Sequence, residues 1–149
     1  MVRVSLILSI LALMHPLSEV TASDTPQEAR HELMEGVKDA AKPVGQMLKG
    51  EQEFDAAVAM ESFQTWAHAA GIFGDLFPAG SDTGYDTEAK ATIWTDREGF
   101  DEKLQAFAKA VNAAIEADPQ NLEALKTAAG PVFKACKSCH ESYRVEDED

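Results

Sequence analysis

Apolar residues recur along most of this chain at alternating steps of three and four, the period of an amphipathic helix. No stretch shows the two-residue alternation of a strand. Four helices follow from that pattern. The first runs from about Pro26 to Lys49 on the stripe Leu33, Val37, Ala40, Val44 and Met47, with Asp24 or Thr25 as N-cap and Gly50 as the stop. Pro43 lies inside it and has no N–H to give the preceding turn, which predicts a kink. The second runs from about Phe54 to Ile72 on Ala56, Ala59, Phe63, Trp66 and Ala70, ended by Gly71 and Gly74. The third runs from about Glu98 to Ala117 on Phe100, Leu104, Phe107, Val111 and Ala114, and Asp118-Pro119 breaks it. Asn121 then caps a fourth helix, Leu122 to about Arg144, on Leu122, Leu125, Ala129, Val132, Cys136, Cys139 and Tyr143, with Pro131 inside. Four helices with one apolar stripe apiece and mostly short turns predict an all-α fold, an antiparallel four-helix bundle. The exception is the connection from about Gly74 to Thr95, long enough to suggest a functional role.

Ahead of these helices the pattern changes. Residues 1–22 start with Arg3, are apolar almost without break from Val4 to Met14, break at Pro16 and end on Val20-Thr21-Ala22. That is the layout of a cleaved secretory signal peptide. The apolar run, about 11 residues, falls short of the roughly 20 that span a bilayer. Residues 23–149 are then expected to form one exported domain with no stable membrane association.

Charge narrows the partners. Among 149 residues, 13 Lys and Arg face 26 Asp and Glu, for a net charge of −13. Such an acid excess argues against nucleic acid and against an anionic membrane surface, both of which attract clustered basic residues. Arg3 and Glu19 cancel, so the −13 survives loss of the leader. The residues Glu146 to Asp149 form an acidic tail.

The two cysteines are too few for a disulfide scaffold, but they stand in Cys136-Lys137-Ser138-Cys139-His140. This is C-x-x-C-H, the attachment signature of c-type haem. Two thiols three residues apart on one helical face can each form a thioether with the same porphyrin, and the adjacent His140 is then held under the iron. A thioredoxin-like C-x-x-C wants a βαβ setting that this chain lacks. A structural zinc site needs four ligands, and only His31 or His68 is on offer to complete the set. A disulfide across one helical turn would strain the backbone. One covalent haem c, with its iron, is the cofactor expected.

The position of the motif, in the last helix of a bundle, resembles the cytochrome c′ / cytochrome c556 family. Its carriers are Arg30-x-x-x-Met34, Lys49-Gly50, Leu76-Phe77-Pro78-x-Gly80-Ser81, Ala89-Lys90-x-x-Ile93-Trp94, Phe100 and Cys136-x-x-Cys139-His140-x-x-Tyr143-Arg144. Thr92 and Pro43 depart from the usual pattern.

The resemblance implies the rest of the site. In the c556 type, a methionine four residues after an arginine in the first helix ligates iron, giving a six-coordinate, low-spin centre. In high-spin c′ members an apolar side chain stands there, and the open iron binds NO or CO. Here the position is Met34, so His140 and Met34 are the implied axial ligands. Thioether sulfur, a soft ligand, favours the ferrous state. Arg30 and Arg144 are implied to pair with the haem propionates. His31 and His68 are expected at the surface, Phe63 and Trp66 in the core, and Phe77 and Trp94 in aromatic core or at the haem edge. The function implied is one-electron transport in the periplasm of a Gram-negative bacterium, without enzymatic chemistry. The alternative is a c′-like NO- or CO-binding protein. The acid excess predicts a redox partner presenting a basic patch. Family members that dimerise do so through the first two helices, so a homodimer would form there.

Overall fold

The computed structural model describes residues 25–145. The leader reading for residues 1–22 and the acidic tail 146–149 lie outside the described residues. Four long helices form the framework: α1 (Pro26–Lys49), α2 (Ala56–Ile72), α4 (Arg97–Ala117) and α5 (Leu122–Tyr143). The connection between α2 and α4 carries a 3₁₀ turn (Phe73–Leu76) and a one-turn helix α3 (Thr92–Thr95). Helix α1 packs on α2, α2 on α4, α4 on α5, and α5 back on α1. The result is the expected antiparallel four-helix bundle.

Side-chain caps set the helix starts. Thr25 Oγ1 accepts from the Glu28 N–H at 3.2 Å, so Thr25 opens α1. Asp55 accepts from the Ala57 and Val58 N–H groups at 2.9 and 3.1 Å, so α2 begins at Ala56 rather than Phe54. Asp96 accepts from Gly99, which starts α4 at Arg97. Asn121 accepts from Ala124 at 2.9 Å and starts α5 as expected. These carboxylates, hydroxyls and amides satisfy N–H groups that have no partner inside the helix.

The helix ends hold the corrections. Helix α2 ends at Ile72 as expected, but Gly71 lies inside it and the chain continues directly into the 3₁₀ turn. Helix α5 ends at Tyr143, one residue short of the expectation, because Arg144 is extended and pairs with the connection. There the Lys90 N–H donates to Tyr143 O at 2.9 Å, and the Val145 N–H to Glu88 O at 2.7 Å. Helix α1 continues unbroken through Pro43.

The core has two parts. The main cluster joins Val44, Met47, Ala59, Phe63, Trp66, Val111, Leu125 and Val132 from all four long helices. The second, Phe77, Ile93, Phe100 and Tyr143, pins the long connection to the ends of α4 and α5. In it Phe77 lies 4.8 Å from Phe100, and Phe100 5.4 Å from Tyr143, both edge to face, a favoured aromatic geometry. No helix among the described residues is long and apolar enough to cross a membrane.

Candidate functional site

Cys136, Cys139 and His140 stand at i, i+3 and i+4 on α5, which puts them on one helical face. That face borders a cavity of about 620 Å³, within the range of small-molecule and cofactor pockets. The cavity lies between the two parts of the core. Cys136 packs on the main cluster, and Cys139 on the second. Trp66, Phe107 and Phe133 line it from one cluster, Phe77, Phe100 and Leu104 from the other.

All six residues singled out in the sequence border this one cavity: Arg30 and Met34 from α1, Cys136, Cys139 and His140 from α5, and Arg144 just beyond it. Met34 is half-buried. His31 is exposed at the cavity mouth, and His68 is exposed elsewhere. Phe63 and Trp66 are core, as expected. Phe77 is buried and borders the cavity, whereas Trp94 packs behind it at 5.6 Å and donates from Nε1 to Pro78 O at 2.9 Å.

Burial sets the protonation states. It pushes the Cys136 thiol up to about 11 and raises Cys139 as well, against a downward pull from the Lys103 ammonium. His140 is exposed, but partial desolvation at the cavity wall still pushes it below its ordinary value, with the Arg144 charge adding to the effect and Glu88 opposing it. The imidazole is therefore neutral at neutral pH, the form that offers a lone pair to a metal.

Arg30 has a second occupation that its place in the motif did not reveal. Its guanidinium is buried and donates to Leu76 O, Ser81 Oγ, Ser81 O and Thr87 Oγ1 at 2.9, 2.9, 2.7 and 3.3 Å. It also lies over the Phe77 ring at 4.7 Å. Arg30 thus ties the long connection to α1 at the cavity wall. Arg144 pairs with Glu88 at 3.3 Å near the opening.

Two polar contacts at the site went unread in the sequence. The Tyr143 hydroxyl donates to Asp96 Oδ2 at 2.6 Å, and Lys103 Nζ donates to Ser138 Oγ at 2.8 Å. Each spans more than 30 residues of chain, so no local spacing announces it. The connection also supplies Tyr85, Asp86, Thr87 and Glu88 to the cavity wall. Its length was the one signal of that role.

The donor set fits a covalent haem. Two thiols one turn apart, a neutral imidazole beside them, a thioether sulfur on another helix and aromatic walls border one cavity of cofactor size. Among the described residues, no three His, Cys, Asp or Glu side chains gather to hold a bare metal ion. A porphyrin brings four nitrogens of its own, so two protein ligands suffice.

Comparisons with known proteins agree. The Cytochrome C′ family model matches residues 25–144. Cytochrome c′ of Rhodopseudomonas palustris is 38% identical over 116 residues, covering 78% of this chain and 79% of that one. Cytochrome c-556 of the same organism is 30% identical over 139 residues, covering 89% and 91%. The solved structure of cytochrome c′ from Rhodopseudomonas palustris superposes with a TM-score of 0.81 at 35% identity, covering 85% of this chain and all of that one. The chain belongs to the cytochrome c′ family, helix-bundle cytochromes with covalently attached haem c.

Proposed function

We propose that the protein is a one-electron carrier of the periplasm with His140 and Met34 as axial ligands. The observation that carries this reading is that Met34 in α1 and His140 in α5 line the same cavity. Haem c, held by thioethers from Cys136 and Cys139, supplies the iron that takes up and gives back one electron. The chain does the rest. Partial desolvation at the cavity wall favours the neutral form of His140, whose lone pair is then available. The soft sulfur of Met34 favours the ferrous state. Aromatic side chains give the cavity apolar walls. Arg30 and Arg144 bring positive charge to the cavity and would pair with the propionate carboxylates. Arg30 is fixed in place by the connection, and Arg144 by Glu88. The acid excess suits a partner with a basic patch. A homodimer would use α1 and α2, where a shallow groove of about 300 Å³ runs past Gly36, Pro43 and Thr65.

The test is optical. The purified ferric and ferrous protein is expected to be low-spin and slow to take up CO. Met34→Leu is expected to convert it to high-spin with ready CO uptake. Met47 supplies the control: it is fully buried, and its sulfur accepts the Asp55 N–H at 3.2 Å, so Met47→Leu leaves the spectrum unchanged. A high-spin spectrum in the unaltered protein would favour the gas-binding reading instead.

A further inference from the structure

The attachment turn of α5 is held by a lysine from another helix, and electron carriage as described gives that lysine no role. Lys103 of α4 donates from Nζ to Ser138 Oγ at 2.8 Å, and Ser138 stands between the two thiols of the motif. Lys103 is half-buried, while most lysines of the described residues are exposed. Its neighbours Phe100, Leu104 and Phe107 line the cavity. Of the cations that line the cavity, Lys38 and Arg144 face carboxylates at 2.7 and 3.3 Å, Glu35 and Glu88, and Arg30 donates to carbonyl and hydroxyl oxygens; Lys103 stands outside the lining, beside the attachment turn. The partner of Lys103 is a neutral hydroxyl, so its positive charge is not cancelled locally.

We propose that Lys103 raises the reduction potential of the haem, and that Ser138 is the positioning residue that keeps its ammonium beside the attachment turn. The proposal rests on the electron-carrier reading. On reduction the site gains one electron from a redox protein. No bond forms or breaks at Lys103 and no proton moves. The net charge of the site falls by one. A fixed positive charge nearby therefore stabilises the reduced state more than the oxidised one. Half-burial leaves that interaction only partly screened by salt and water.

The experiment is an optical redox titration of the holoprotein. Lys103→Met keeps the side-chain length and removes the charge. It is expected to shift the redox equilibrium about three- to tenfold toward the oxidised form. Lys103→Arg keeps the charge and is expected to stay within about twofold of the parent. Lys109→Met, an exposed lysine on the same helix, is expected to move it by less than about twofold. Ser138→Ala releases the ammonium and is expected to shift the equilibrium the same way as Lys103→Met, by less. A Lys103→Met shift no larger than that of Lys109→Met overturns the proposal. If Lys103→Met does not accumulate as holoprotein, Lys103→Gln and Ser138→Ala decide, and unchanged potentials in both overturn it. The spectrum reports the ligands separately. A high-spin parent would sink the Met34 assignment, while the comparison of potentials would still test Lys103.

Discussion

Arg30 donates to both the hydroxyl and the carbonyl of Ser81, at 2.9 and 2.7 Å, across 51 residues of sequence. Ser81 Oγ passes the chain of bonds on to Pro78 O at 2.9 Å. Removing the guanidinium would leave Ser81 and Leu76 with buried acceptors and no donor. Arg30→Met is therefore expected to cost about 2–4 kcal/mol in urea unfolding of the holoprotein. Lys in its place should rescue little, because a single ammonium cannot reach the acceptors that the planar fork reaches together.

Gly99 reverses the usual rule for helical glycines. Alanine inside a helix normally gains up to about 1 kcal/mol over glycine. At Gly99 an added Cβ would sit 2.6 Å from both Asp96 Oδ2 and the Tyr143 hydroxyl. Gly99→Ala is expected to destabilise by about 1–3 kcal/mol. Gly45→Ala in α1 meets nothing within 4 Å and is expected to stabilise. Thermal unfolding of the two variants should move in opposite directions.

The four long helices were legible because each carries an apolar stripe, and Thr25 and Asn121 showed as caps, whereas Asp55 and Asp96 did not; the cofactor motif is local, since five consecutive residues carry it. Met34 and Arg144 were placed by likeness to a family rather than by any pattern of their own. What lay hidden was long-range. The motif that contains Arg30 shows nothing of Ser81 and Thr87, which fold back over its guanidinium from more than 50 residues away. Helix α5 stops before Arg144 because Lys90 and Glu88 bond the backbone on either side of it, at Tyr143 O and the Val145 N–H, and a helical pattern in one segment carries no trace of those competitors. Likewise nothing within three or four residues of Lys103 or Asp96 points to Ser138 or Tyr143.

Tyr143 makes the fold sensitive to strong alkali. Its hydrogen bond to Asp96 pushes its pKa up to about 12, with burial and the Asp96 charge adding to the shift. An unfolded tyrosine titrates near 10. The folded value is the higher one, so the protonated phenol is the form the fold favours. Its contribution is complete below about pH 10 and fades as pH rises through about 12. Holoprotein stability measured against pH should fall across that window. Tyr143→Phe should start lower at neutral pH and show a shallower decline, and an equally steep decline in that variant would assign the loss to other groups.

The net charge of −13 makes a prediction whose sign depends on the partner. Charged proteins steer one another at distances set by the Debye length, about 10 Å at 0.1 M salt. Attraction speeds encounter more than it tightens the complex. With a basic mitochondrial cytochrome c as electron partner, the second-order rate should fall as salt rises from about 0.01 to 0.5 M. With ferricyanide, an anion repelled by the same field, it should rise over that range. A short-range contact would slow with salt for one reagent without speeding for the other. Only a field that spans the surface reverses sign with the charge of the reagent. Stopped-flow rates for both, on one preparation of holoprotein, therefore separate steering by the acidic surface from a specific contact. Rates independent of salt for both reagents would remove the role assigned to the acid excess.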